Sequence, residues 1–220
     1  MKLYSAALSM FGAKVHIAAL EKGLDFDLVM VPFDPIEGYS PKHSEVVRIN
    51  PKRQVPVLVH GDLEIFDSTQ IFEYLEDLQP SPALWPLDFR ARARARQLEH
   101  QSDEVYFPQV IRLMGLQQDL ENPNAITAIE AATRYYGVME HLLLSNDYLA
   151  PTFSFADIAF YMAQIFGERM GAPMTTATPR LLDWRRRMTM RPTVRTVVGP
   201  MVKYLISLKR PIPDFLMPIS

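Results

Sequence analysis

The stretch Asn50-Pro51-Lys52-Arg53-Gln54-Val55-Pro56-Val57-Leu58, running on through Val59-His60-Gly61-Asp62-Leu63-Glu64-Ile65-Phe66 to Asp67-Ser68, decides the fold. Residues Val55–His60 and Leu63–Phe66 flank Gly61-Asp62 and read as a hairpin of two short strands around a two-residue turn. Pro56 has no N–H to give to a central ladder. Two readings of it stay open. It begins an edge strand, or it is a cis-proline at a loop–strand junction. The second turns the N–H and C=O of Val55 outward, where they can pair strand-like with a peptide-shaped ligand. Asp67-Ser68 then opens a helix that carries Ile71, Tyr74, Leu75 and Leu78 and ends before Pro80. Both residues serve as ordinary caps. The same helix start also suits an α-amino-acid head group: Ser68 can donate to a carboxylate, and Asp67 can accept from an ammonium.

Upstream, residues 2–6 (KLYSA) read as a strand, and Ser9 to Gly23 as a helix ending at a C-cap glycine. Residues 27–32 (DLVMVP) read as a second strand, and 34–51, rich in Pro and Gly, as mostly loop. A right-handed βαβ unit followed by a hairpin predicts a four-stranded mixed sheet with helices against it. Beyond Pro80 only helical patterns remain, at about 88–117, 125–145, 155–171, 179–189 and 192–207. The tail from Lys209 is too Pro-rich for a helix. Charge divides at the same place. Residues 1–80 hold 7 basic and 12 acidic side chains, and 81–220 hold 16 and 13. The expected architecture is α/β plus all-α: a first domain at 1–80, a linker at 81–87 and a helical domain at 88–220.

Composition narrows the function. The chain is 48% hydrophobic with a net charge of -2, which excludes a disordered chain and gives no global drive toward nucleic acid or anionic membrane. No apolar run is long enough for a transmembrane helix. Lys14 and His16 interrupt the apolar start too soon for an export signal, so the cytoplasm is the expected location. With 0 Cys there is no disulfide scaffold, zinc–cysteine site or cysteine nucleophile. His16, His60, His100 and His141 show no metal spacing and read as surface or packing residues. No metal is expected.

Four segments together resemble the glutathione S-transferase family over essentially the whole chain. KLYSAALSMFGAKVHIAALEKGLDFD is similar to the family's first strand, helix and second strand. INPKRQVPVL resembles its cis-proline motif, and LEIFDSTQIFEYLED its γ-glutamyl motif. FSFADIAFY resembles the capping box of a buried helix, with Ser154 and Asp157 in S-x-x-D. The resemblance implies a thioredoxin-like N-terminal domain and a C-terminal helical bundle. It also implies a homodimer that takes glutathione as co-substrate in detoxification chemistry. It points to a serine-type member, of the theta, phi, zeta or bacterial β-etherase-like kind.

Carried onto this sequence, the resemblance implies Ser9, six residues before Val15, as the thiol activator. Met10 stands where many members have Pro. Tyr4 and Ser5 stay open as rivals: Tyr4 lies one residue early for a tyrosine-type member, and Ser5 aligns with that tyrosine but is shorter. Gln54, Val55 and Pro56 resemble the cysteinyl-backbone site, Asp67 and Ser68 the γ-glutamyl site, and Lys42 and His43 the glycyl-carboxylate site. Phe11 is counted with both substrates. Asp103 resembles an acid that reaches the partner's glutathione ammonium across a dimer, whereas Glu104 reads as solvated.

The second substrate is expected to be an apolar electrophile. Its wall candidates are Met10, Phe11, Tyr106, Val110, Met114, Met170 and Phe215, with Leu113, Gln117 and Met217 beside them. A stripe such as Tyr106-Val110-Leu113 is more often core, and Met-rich walls suit promiscuous binding. Arg90, Arg92, Arg94 and Arg96 spread around their helix, which the resemblance places at the dimer interface. Arg185-Arg186-Arg187 reads as a solvated face. Narrower alternatives are a glutathione-dependent dehalogenase, aryl-ether-cleaving enzyme or isomerase, and a non-catalytic regulatory module that binds glutathione.

Overall fold

The computed structural model describes residues 1–32 and 42–219. The chain divides into two compact units. The first holds residues 1–83 and 192–211, and the second 84–191 and 212–217.

The first unit is built on a four-stranded sheet. Strands β1 (Lys2–Ala6), β2 (Asp27–Val31), β3 (Val57–His60) and β4 (Leu63–Phe66) lie in the order β2-β1-β3-β4. β1 pairs parallel with β2 and antiparallel with β3, and β3 pairs antiparallel with β4. β3 begins at Val57 rather than the expected Val55, because Pro56 cannot donate to the ladder. The Val55–Pro56 bond is cis, the second of the two readings. Gly61 at φ 63 makes the hairpin turn.

Alternation along β1 sends Leu3 and Ser5 to one face and Tyr4 and Ala6 to the other. Tyr4, Ala6, Val31, Val46 and Val57 form one buried cluster. Helix α1 (Met10–Glu21) is capped by Ser9 and ends at Gly23, φ 65. It packs on β1 and on α3 (Ser68–Leu78). The buried Lys22 ammonium ties the ends of α1 and α3 together: it pairs with Glu76 at 2.5 Å and donates to Gln79 O and Pro82 O.

Helix α2 (Ser44–Ile49) lies within the stretch expected to be loop. Six residues are too few for a periodic signal. His43 caps it, and Arg48 pairs with Glu45 and Glu64. Residues 34–41 of that expected loop lie outside the described residues.

The second unit contains α4 (Phe89–Gln101), α5 (Phe107–Met114), α6 (Pro123–Leu142), α7 (Phe155–Arg169) and α8 (Pro179–Met190). The expected helix at 88–117 is α4 and α5 joined by a π-helical turn, Ser102–Tyr106. Pro108 cannot supply the N–H that a continuous helix needs. The expected linker is partly core: Leu84 and Trp85 are buried, and Leu84 O accepts from Phe155 N at 3.1 Å. α9 (Pro192–Ser207) corrects the expected 88–220 domain. It packs on α1 and Thr193 bonds Glu21, so it belongs to the first unit. The tail carries a short 3-10 helix, Asp214–Ile219, where none was expected.

α7 is buried along most of its length and begins at the expected capping box. Asp157 Oδ2 accepts from Ser154 N and Oγ, and Oδ1 accepts from Leu149 N and the Trp184 indole. Burial still pushes this carboxyl up to about 6. Asp157→Ala strands these donors. It is expected to cost about 3–5 kcal/mol, since each buried unpaired donor costs about 1–3. Urea unfolding measures the loss, and a change under about 1 kcal/mol contradicts it.

His16 packs edge-on against Phe26 (centroids 5.4 Å), and burial pushes its imidazole down to about 4. The unfolded chain, at about 6.5, binds more protons between these values. Stability from this group is therefore present above pH ~6.5 and lost as pH falls toward 4. Asp157 acts in the opposite sense: it is raised when folded, and its contribution falls as pH rises from about 4 to 6. His16→Leu is expected to flatten the acid-side loss in urea midpoints measured from pH 6.5 to 4.

Candidate functional site

Strand register assembles the candidate site. Tyr4 lies opposite Val57, and Val57 opposite Phe66. The C-terminal end of β1, the N-terminal end of β3 and the C-terminal end of β4 therefore share one edge of the sheet. The residues just past each end meet there: Ser5 to Ser9 after Tyr4, Val55-Pro56 before Val57, and Asp67-Ser68 after Phe66.

Ser9 is the N-cap of α1, and its Oγ accepts from Gly12 N at 3.0 Å. That bond uses a lone pair and leaves the hydroxyl proton free to donate. Ser9 stays partly exposed. Its rivals are placed differently. Tyr4 is 5% exposed, on the opposite face, with its ring 5.1 Å from that of His43. It belongs to the buried cluster against which Val55 and Phe66 pack. Ser5 lies on the α1 face and is 3% exposed. A Cβ placed on Gly12 would stand 2.2 Å from Ser5 Oγ and 3.2 Å from Ser9 Oγ.

The loop before Pro56 is organised by Asn50, which the sequence reading did not single out as a functional residue. Asn50 is 3% exposed. Its Nδ2 donates to Gln54 O at 2.6 Å, its Oδ1 accepts from Lys52 N, and its own C=O accepts from Arg53 N. Arg53 takes φ 54 to close this turn. The signal available in the sequence was an amide side chain just before Pro51, a residue pair that favours turns. Gln54 is exposed. The N–H and C=O of half-buried Val55 have no backbone partner among the described residues.

Asp67 caps α3, its Oδ1 accepting from Thr69 N at 3.1 Å, and holds φ 76. This is the left-handed region, uncommon for a residue with a side chain. Lys52 Nζ stands 3.9 Å from its other carboxylate oxygen. Ser68 is 4% exposed at the first helical position, where the N–H has no helical acceptor. This edge offers a helix N-terminus, a hydroxyl and a carboxylate together, as an amino-acid head group requires. His43 Nδ1 accepts from Glu45 N, so that nitrogen carries no proton. Lys42 is exposed.

Asp103 and most of the wall candidates lie on the second unit. Asp103 is half-buried in the π turn. Tyr106 and Val110 are core, at 1% and 0% exposure, and Leu113 joins them. The Tyr136 hydroxyl donates to Ala172 O, so the Tyr106 hydroxyl donates to Tyr136. These residues offer no surface to a ligand. Met10 and Met170 are also buried. Met114 is exposed, and Phe11 and Phe215 are half-buried. Arg185 corrects the solvated-face reading of 185–187: it pairs with Glu168 at 2.7 Å and lies 4.0 Å from the Phe215 ring. Among the described residues no group of three or more His, Asp or Glu could hold a metal ion, and no helix is long and apolar enough to cross a membrane.

A thioredoxin-like unit followed by a helical unit is the class these features define. Residues 3–83 match the family model described as glutathione S-transferase, N-terminal domain. Glutathione S-transferase Z2 of Arabidopsis thaliana is 34% identical over 152 residues, covering 66% of this chain and 65% of that protein. The stringent starvation protein A homolog of Coxiella burnetii is 32% identical over 107 residues, 49% of this chain and 48% of that protein. The chain spans less than two thirds of the length of either relative. A glutathione S-transferase structure from Rhodospirillum rubrum F11 shares the fold, with a TM-score of 0.82, 24% identity and 98% of each chain covered. Over these residues the chain is similar to glutathione S-transferases.

Asn50→Ala removes the side-chain bonds to Gln54 and Lys52. It is expected to cost about 1–3 kcal/mol and to speed amide exchange at Lys52 while leaving the β1–β3 amides protected. Exchange followed by NMR separates the two effects.

Proposed function

We propose that this protein is a glutathione transferase that holds glutathione at the sheet edge of its first unit and activates it through Ser9. The observation that carries the reading is the Tyr4–Val57–Phe66 register, which gathers the Ser9 hydroxyl, the Val55 backbone and the Asp67-Ser68 helix start at one edge. Val55 pairs with the cysteinyl backbone, Gln54 lies beside it, and Pro56 sets the turn. Ser68 and the α3 N-terminus take the γ-glutamyl carboxylate, and Asp67 takes its ammonium. Lys42 and His43 serve the glycyl carboxylate.

The thiol loses its proton to water and Ser9 donates a hydrogen bond to the sulfur. The thiolate lone pair then forms a carbon–sulfur bond with the electrophile, and a leaving group departs or an adduct is protonated. A free thiol has a pKa of about 8.5. Lowering it by about two units requires about 2.7 kcal/mol of preference for thiolate. A hydrogen bond to a charged group supplies about 1.5–3 kcal/mol, so one hydroxyl can account for most of it, and the α1 N-terminus adds some tenths of a kcal/mol. Holding the sulfur in place supplies the rest of the rate.

The second substrate is an apolar electrophile; among the wall candidates Met114 and Phe215 keep more open surface than Tyr106 or Val110. The working form is a cytoplasmic homodimer, in which Asp103 reaches the partner's glutathione. A second reading, a glutathione-binding regulatory module, is favoured by the likeness to a stringent starvation protein A homolog.

Calorimetric titration with glutathione, with thiolate absorbance followed against pH, tests both. Wild type is expected to bind with a thiol pKa about two units below the free value, and Ser9→Ala to return it most of the way. Binding without a lowered pKa supports the regulatory module. No binding at millimolar glutathione overturns both readings.

A further inference from the structure

Gly12 and Ser5 are an unexplained pair in α1 and β1. A glycine inside a helix costs about 1 kcal/mol relative to alanine. Gly12 does not take a positive φ, so backbone freedom is not its use. Space is its use: an added Cβ would collide with Ser5 Oγ at 2.2 Å and crowd Ser9 Oγ at 3.2 Å. The two hydroxyls thus flank one point beside the first turn of α1. Ser5 is 3% exposed. The helical glycine, unfavourable by itself, serves to keep a second O–H next to Ser9. Ser9 already accepts from Gly12 N, and its hydroxyl proton remains available to donate.

We propose that Ser5 is a second hydroxyl donor to the glutathione sulfur, so that the thiolate is held by a pair of serines rather than by Ser9 alone. The inference rests on the glutathione-transferase reading of this edge. The sulfur carries its charge in diffuse lone pairs and accepts from more than one donor. The thiol proton goes to water, and both serines keep theirs. Gly12 is then the residue that makes the pair possible, since any side chain there displaces one hydroxyl.

The test measures the pKa of the bound thiol by thiolate absorbance in wild type, Ser5→Ala, Ser9→Ala and Gly12→Ala. Calorimetric affinity for S-methylglutathione, which has no thiol proton, is measured alongside. Ser5→Ala is expected to raise the bound thiol pKa by about 1 and to leave S-methylglutathione affinity within about twofold, a change of about 0.4 kcal/mol. Gly12→Ala is expected to move the pKa in the same direction. A purely structural Ser5 would weaken S-methylglutathione and leave the thiol pKa in place, and that result overturns the proposal. If wild type shows a lowered pKa that Ser9→Ala abolishes and Ser5→Ala leaves alone, the pair is wrong and the transferase reading stands. If wild type binds neither ligand, both fail. Thermal melting checks each fold, and Ser5→Gly gives the same comparison should Ser5→Ala not fold.

Discussion

The pairing of Tyr4 with Val57 and of Val57 with Phe66 is the constraint on which the site depends. A strand slipped by one residue turns every side chain to the other face. Slip β1 against β3, and Tyr4 would leave its cluster while Ser5 moved away from Gly12. The register is fixed because each face is buried against something different. Tyr4 and Ala6 join Val46 of α2, and Leu3 lies fully buried on the α1 side. Apolar packing thereby sets the positions of the polar groups at the edge, although those groups contribute little to the packing.

The polar groups inside the molecule are handled by enclosure. Asp157 is surrounded by donors from Leu149, Ser154 and Trp184, yet burial leaves it a weaker acid than usual. Desolvation thus exceeds even four hydrogen bonds. Lys22 is satisfied by one carboxylate and two carbonyls. These networks locate ends of elements: Asp157 fixes the start of α7 to the loop before it, and Lys22 fixes the ends of α1 and α3. Exposed pairs such as Arg134–Glu130 have no such duty and contribute little.

Much of this could be read from the residues. The strands and long helices announced themselves by alternation and periodicity, and the caps at Ser9, Asp67 and Ser154 by residue type. The α2 helix did not, since six residues between prolines carry no period. The π turn at Ser102–Tyr106 was also hidden, because one helical pattern runs through 88–117. For the candidate site, the positions of Ser9, Val55 and Asp67 at element ends were legible from the caps and the proline. Asn50 and Gly12 were not. Their importance lies in which atoms they touch across the chain, and that becomes visible only when the strands are paired. Tyr106 and Val110 show the same limit from the other side, because one apolar stripe serves a core or a cleft equally well.

The place of α9 bears on how the chain is made. The first unit is not a continuous stretch, since the chain leaves it after residue 83 and returns only at Pro192. Until the ribosome has released residues beyond about 207, α1 lacks the helix that packs on it. A nascent chain carrying the whole sheet and the Ser9, Val55 and Asp67-Ser68 edge is still unfinished at that point. Contacts between α1 and α9 join residues more than 170 positions apart, as Glu21 and Thr193 do, and such distant closures slow folding. Closing that distance waits on the synthesis of α9, so the end of the translation product governs when its beginning matures.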